Sequence, residues 1–219
     1  MNVPDDADLA TARDALVDRL ARDRDLDEST AAAMRAVPRH EFVPDARRAD
    51  AYADRPLPIG EGQTISAPHM VAVVTDLLDL GPDERVLEIG TGCGYHAAVT
   101  ATVAGHVYSV EYRQALADGA RERLARLGSE VTVRVGDGHA GWPDHAPYDA
   151  AYLTCAAPAV PEAVIEQVRP GGPIVAPVGT GRQELCRLWK RADGGVDRES
   201  HGGVRFVEMQ GGDRPQSRD

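Results

Sequence analysis

Between residues 8 and 22, Leu9, Ala12, Leu16 and Leu20 recur at helical spacing with charged residues between them. That spacing predicts an amphipathic helix. A second, shorter helix is predicted to begin after Asp27, pass through Ala31, Met34 and Val37, and stop at Pro38. Arg39–Pro58, rich in Pro, Asp and Arg, predicts irregular chain. A third helix is predicted from Ala67 or Pro68 through Met70, Val73, Val74, Leu77 and Leu78. From Arg85 the pattern becomes one of short apolar runs separated by helical stretches. The runs predict strands at Arg85–Ile89, Val107–Glu111, Val131–Val135, Asp149–Thr154 and Pro173–Pro177. Between them, Arg113–Leu127 sets Ala117, Ala120, Leu124 and Leu127 along one helical face. Such alternation predicts βαβ units and a parallel sheet. Glu184–Ala192 and Gly203–Met209 predict two further strands around the turn Asp193-Gly194-Gly195, and Gly211–Asp219 a loose tail. The organisation expected is one α/β domain over 1–219, with a helical addition at 1–58 and a catalytic core at 59–210.

Size and charge narrow the classes. A chain of 219 residues can build one well-developed core. It contains no apolar run of about 18 residues, the length needed to span a bilayer. The start, Met1-Asn2-Val3-Pro4-Asp5-Asp6, lacks the basic and apolar regions of a secretory signal, so a cytoplasmic protein is expected. The formal charge of −11 argues against a general nucleic-acid binder, which needs a basic footprint to displace counterions. Lys190 is the only lysine. Acid-rich, lysine-poor surfaces suit a salt-rich cytoplasm, where repulsion between carboxylates is screened, although a GC-rich genome makes the same exchange of lysine for arginine. Cys93, Cys155 and Cys186 are far apart, the seven histidines are scattered, and no metal is expected.

The chemistry concentrates at Val86-Leu87-Glu88-Ile89-Gly90-Thr91-Gly92-Cys93-Gly94-Tyr95, an apolar strand running into a glycine turn and then a helix. Such a turn after the first strand lies where α/β sheets bind nucleotides. A dinucleotide fingerprint would put its third glycine at Tyr95, one residue after Gly94. A phosphate loop would need Gly-Lys-Ser/Thr, and no lysine is near. What remains is a nucleoside without phosphates, adenosine carrying a methionine sulfonium. Glu88 suits its cationic amino-acid part. Glu111, ending the second strand, can accept both ribose hydroxyls, and Asp137 in Gly136-Asp137-Gly138 can reach the adenine amine. Three acids at three successive strand ends resemble the class I methyltransferase fold, a Rossmann-like seven-stranded sheet with helices on both faces. S-adenosyl-L-methionine is the cofactor this implies, with Glu88, Gly90, Gly92, Gly94, Glu111, Tyr112, Asp137 and Gly138 as the expected binding residues.

Upstream, Pro58-Ile59-Gly60-Glu61-Gly62-Gln63-Thr64-Ile65-Ser66-Ala67-Pro68-His69-Met70 closely resembles the signature of the protein-L-isoaspartate O-methyltransferase family. The likeness continues through Val37-Pro38-Arg39, Phe42-Val43, Val86–Tyr95, Gly136-Asp137-Gly138, Pro170-Gly171-Gly172, Pro177-Val178-Gly179 and Val204-Arg205-Phe206-Val207. It covers about residues 8 to 209, and Gln63–Met70 is its most specific part. The resemblance implies a monomeric repair enzyme that methylates the free carboxylate of isoaspartyl residues in damaged proteins. It implies Ser66 as the active-site residue, with Thr64, His69 and Val204 toward the substrate, and the last two sheet strands exchanged relative to other class I enzymes.

A carboxylate is already ionised at neutral pH, so the reaction needs desolvation and aim rather than a strong base. A hydroxyl at Ser66, with Thr64, would hold one carboxylate oxygen and aim the other. Spacing alone also allows Ser66 to be the N-cap of the helix beginning at Ala67 or Pro68. The chain departs from the family pattern at Cys93, usually serine, at Cys155, usually alanine, and at Glu208, where proline is common. Two other readings stay open here: a carboxyl methyltransferase with a different acceptor, and a protein that binds the cofactor without transferring its methyl group.

Overall fold

The computed structural model describes residues 5–212; Met1–Pro4 and residues 213–219 of the predicted tail lie outside the described residues. Helix α1 (Asp6–Arg24) starts where the Asp5 carboxylate accepts a hydrogen bond from the Asp8 amide, 2.9 Å. It buries Leu9, Leu16 and Leu20 of the predicted face, with Val17 in place of Ala12, which is exposed. Helix α2 (Glu28–Ala36) ends before Pro38, as a residue preceding proline disfavours helical ψ. Two short 3-10 turns occupy Arg39–Phe42 and Asp45–Asp50 within the stretch predicted to be irregular. An unpredicted hairpin follows, β1 (Leu57–Gly60) against β2 (Gln63–Ile65), turning through Glu61-Gly62 with both residues at positive φ.

Beyond α3 (Pro68–Leu78) the alternating region forms β3 (Arg85–Ile89), α4 (Tyr95–Val103), β4 (His106–Glu111), α5 (Gln114–Arg126), β5 (Val131–Val135), β6 (Ala150–Leu153), α6 (Glu162–Gln167), β7 (Pro173–Val178), β8 (Gln183–Lys190) and β9 (Val196–Val204). These strands make one seven-stranded sheet in the order β5-β4-β3-β6-β7-β8-β9. The five from β5 to β7 are parallel, and β8 is antiparallel to both neighbours. The last three strands therefore follow in chain order, the arrangement the resemblance implies. The final strand is Val196–Val204, not the predicted Gly203–Met209. Residues 205–209 instead leave the sheet edge and run back, with Met209 N donating to Ala156 O and Ala156 N to Val207 O, both 2.8 Å.

The central strands are buried along nearly their whole length, and alternate side chains go to two apolar faces, as a covered parallel sheet requires. Val86, Val107, Ala150, Tyr152 and Val175 pack with Val74 and Leu78 of α3. Leu87, Ile89, Val110, Leu153 and Ile174 pack on the other face with Val164 of α6. The N-terminal helices join the same body, Leu16, Val17 and Met34 clustering with Tyr95, Val99 and Leu124. Burying a leucine such as Leu87 contributes roughly 1.5–3 kcal/mol. Connections run outward in both directions from β3 and β6, so the chain order reverses beside the C-terminal end of β3, where ligands of such sheets bind.

Candidate active site

A cavity opens at that reversal, floored by Ile89, Gly90, Gly92, Val110 and Glu111 and walled by Tyr95, Tyr112, Leu116 and Gly138. Gly90 is required twice over. Its φ is +99°, and a Cβ there would stand 2.3 Å from Thr154 Oγ1. Gly138 is required for space alone, since a Cβ would meet Ile89 Cγ2 at 2.3 Å. The Glu111 carboxylate accepts from the Gly92 amide and the Arg113 amide, each at 2.9 Å, and so stitches the end of β4 to the glycine turn. Arg113 donates to Glu61 at 3.1 Å, pinning the β1–β2 turn to the cavity's edge.

The hairpin delivers Gln63, Thr64, Ile65 and Ser66 onto the cavity rim. A second, more open groove begins on their far side and continues past His69, Val204 and Phe206. Thr64, Ser66, Thr154, Val207 and Glu208 line both spaces and mark where they meet. Ser66 is not the helix cap that its position allowed. The cap of α3 is Ala67, without a side-chain bond. Asp54 substitutes, its carboxylate accepting from the His69 amide at 3.0 Å and facing the His69 ring nitrogen Nδ1 at 2.9 Å. Burial pushes the Asp54 carboxyl upward, but the two hydrogen bonds from His69 outweigh it and hold the group below its ordinary value.

Three of the residues expected to touch the cofactor do not line the cavity. Glu88 points to the opposite face of β3 and is fully buried. There it accepts from Ser109 Oγ and from the Tyr152 hydroxyl, the latter at 2.7 Å. Burial pushes its carboxyl up to about 7. Ser109 also bonds Thr91 Oγ1, 2.5 Å, so a chain of hydroxyls links the buried carboxyl to the cavity wall. Gly94 caps α4 at φ +92° beneath Leu124 rather than facing the space. Asp137 is engaged by its own neighbourhood, accepting from the amides of His139 (2.9 Å) and Gly212 (2.7 Å). These bonds overcome partial burial and keep its carboxyl low. Gly90, Gly92, Glu111, Tyr112 and Gly138 do line the cavity; Thr64 and Ser66 join the two spaces; His69 and Val204 lie in the groove.

Sequence reasoning missed Thr154, whose hydroxyl donates to Gly90 O at 2.5 Å, and the returning segment Val207–Gln210, which closes one side of the cavity. The place of Thr154 was readable, as it follows a β-strand adjoining β3. The return of 207–210 has no local signature. Cys93 and Cys155 both face the cavity, are buried and are free. Burial pushes both thiols up, Cys155 to about 12, so they remain protonated at neutral pH. Burial also pushes His96 down to about 3, leaving a neutral ring beside Thr75 and Tyr152. Among the described residues no group of His, Cys, Asp and Glu is placed to hold a metal.

A model of the protein-L-isoaspartate(D-aspartate) O-methyltransferase family matches residues 11–214. The chain belongs to that family. Named protein-L-isoaspartate O-methyltransferases resemble it along nearly their whole length. One from Archaeoglobus fulgidus is 49% identical over 93% of this chain and 95% of its own. One from Methanopyrus kandleri is 50% identical over 94% and 95%. One from Methylorubrum extorquens is 48% identical over 92% and 90%. A solved protein-L-isoaspartate O-methyltransferase superposes with a TM-score of 0.83 at 30% identity, covering 91% of this chain and 66% of that one. The fold recurs at 21% identity, TM-score 0.77, in a Plasmodium falciparum protein solved with S-adenosyl-L-homocysteine, with 90% of this chain and 98% of that one covered.

The cavity suits the donor of that family. Its charged walls are the carboxylates Glu111 and Glu208 and an arginine, Arg113, already paired to Glu61. No unpaired cation waits for a phosphate there among the described residues, and the backbone of Gly90 and Gly92 lines the space.

Proposed function

We propose that this chain methylates the free carboxylate of L-isoaspartyl residues in damaged proteins, with S-adenosyl-L-methionine as donor. The observation that carries the mechanism is the shared border: Thr64, Ser66 and Thr154 stand where the cofactor cavity opens into the groove. Methyl transfer requires the two substrates to meet at one point, and this is the polar point between the two spaces. The cofactor supplies a methyl group on a cationic sulfur. Gly90, Gly92, Glu111, Tyr112 and Gly138 hold it, and Glu88 acts from behind the strand through Ser109 and Thr91. Ser66 donates a hydrogen bond to one oxygen of the acceptor carboxylate and leaves the other free to attack. Thr64 assists from β2, two residues earlier. His69, fixed by Asp54, and Val204 shape the groove beyond.

No general base is needed, because the acceptor loses its proton near pH 4 before it binds. Holding the reactants in line can supply up to roughly 7–11 kcal/mol of the barrier. The ester formed cyclises readily to a succinimide as the following backbone nitrogen displaces methanol, and hydrolysis reopens the ring in part to normal aspartate. We place the activity in a cytoplasmic, monomeric, single-domain protein, and its acidic charge disfavours a nucleic-acid partner. No helix among the described residues is long and apolar enough to cross a membrane. The test is repair itself. A purified isoaspartyl peptide, incubated with the protein and excess cofactor, should be converted progressively to its aspartyl isomer, separable by chromatography. An unchanged isomer ratio after many cofactor equivalents contradicts the proposal.

A further inference from the structure

The groove on the acceptor side is opposite in charge to the molecule that carries it. Asp and Glu outnumber Lys and Arg by 35 to 24 along the chain. The groove beyond Ser66 is nevertheless lined by three arginines, Arg24, Arg182 and Arg205, and by a single carboxylate, Glu208. All three arginines are exposed. None makes an ion pair or side-chain hydrogen bond among the described residues, unlike Arg35 with Asp18 or Arg169 with Asp149. They come from three separate places: the last residue of α1, the β7–β8 turn, and the segment just after β9. The groove's two histidines lie beside carboxylates, His69 beside Asp54 and His201 near Glu199. The positive charge left uncompensated is therefore that of the guanidiniums.

Resting on the acceptor reading above, we propose that these arginines make the protein select isoaspartyl sites flanked by acidic residues. The carboxylate to be methylated sits at Ser66. Chain on either side of it must leave through the groove, and its side chains pass unpaired guanidiniums there. Opposite charges raise encounter rates and fix orientation, while a lysine brought to the same place is repelled. Arginine suits the task because it carries several donors to flanking carboxylates and never loses its charge.

Three isoaspartyl peptides, alike except for flanking Glu, Gln or Lys, test this with wild-type protein and with the single variants Arg182→Glu and Arg24→Glu. The expected order of kcat/KM is Glu above Gln above Lys, spanning about tenfold and carried mainly by KM. Each charge reversal should narrow or invert that order, and because the order is a ratio within one protein, partial loss of folded variant does not disturb it. Equal methylation of all three by the wild type, or a preference for Lys, overturns the selection while the acceptor reading stands. A wild-type preference that both variants retain unchanged overturns the role of the arginines. Failure to methylate any of the three, with cofactor still bound, removes the acceptor reading and this inference with it.

Discussion

At the scale of single residues, Ser66 and Glu88 exchange the expectations attached to them. Ser66 could have been a helix cap, yet α3 is capped by Asp54, and the Ser66 hydroxyl borders both cavities instead. Ser66→Ala should therefore lower kcat by about 10- to 1000-fold while the unfolding free energy stays within about 0.5 kcal/mol. Steady-state kinetics beside a urea titration checks both; a stability loss without a kinetic one would restore the capping role. Glu88 precedes the glycine turn, a position that points to the cofactor. Strand alternation held the opposite answer, because Glu88 shares the face of Val86 while Leu87 and Ile89 share the other. Its carboxyl, raised by burial from 4.5 to about 7, keeps its proton in the folded protein at pH values where the unfolded chain has lost it. Its contribution to stability is thus fully present below about 4.5 and is lost as pH rises through 7, a change of roughly 3 kcal/mol. Glu88→Gln lacks that slope. Denaturant unfolding at pH 5 and pH 8 should show wild type losing stability relative to the variant; parallel behaviour would contradict the raised value.

Among the elements, those with strong periodicity were legible and those held by long-range contacts were not. The helices α1 to α5 and the strands β3 to β7 lie within a few residues of the positions their patterns predict. The final strand was misplaced because β9, Asp197 to Gly203 included, lies exposed at the sheet's edge and shows no apolar alternation. The more apolar residues after it, Val207 and Met209, pack toward the cofactor cavity instead. The hairpin β1–β2 has no local sequence signature either, since its strands are short and its turn places Glu61 at positive φ. Two predictions belong to this scale. Asp54→Asn weakens the partner of the α3 N-terminus and should cost about 1 kcal/mol in a thermal or urea melt. It should also raise KM for the acceptor, because the His69 ring is released. Gly90→Ala forces a Cβ against Thr154 at a positive φ and should abolish cofactor binding by calorimetry, although Ala is the smallest side chain available. Retained affinity would show that the turn does not touch the cofactor.

For the whole molecule, topology explains how residues from opposite ends of the chain share one site. The order reversal at β3 puts the glycine turn, Glu111 and Gly138 around one opening. The β1–β2 hairpin brings Ser66 in from upstream, and the return of 205–210 brings Glu208 and Met209 from downstream. The parallel sheet and the glycine turn were visible in the sequence from the strand–helix alternation and from Gly90-Thr91-Gly92, but of the three strand-end acids only Glu111 lines the cavity. The groove was not, as its arginines are more than 150 positions apart, from Arg24 to Arg205, and only folding joins them. The charge of −11 is likewise a property of the whole. Screening it with molar KCl should raise Tm by at least about 2–4 °C. A fall in both Tm and activity would argue that the acidic surface is no adaptation to salt.

The central claim is that the border at Ser66 delivers a methyl group to an isoaspartyl carboxylate. Transfer of radiolabelled methyl from S-adenosylmethionine to paired peptides, one with isoaspartate and one with normal aspartate, tests it most directly. Base-labile label on the isoaspartyl peptide alone is the predicted result. Label on both peptides equally, or on neither while the cofactor still binds, would contradict it.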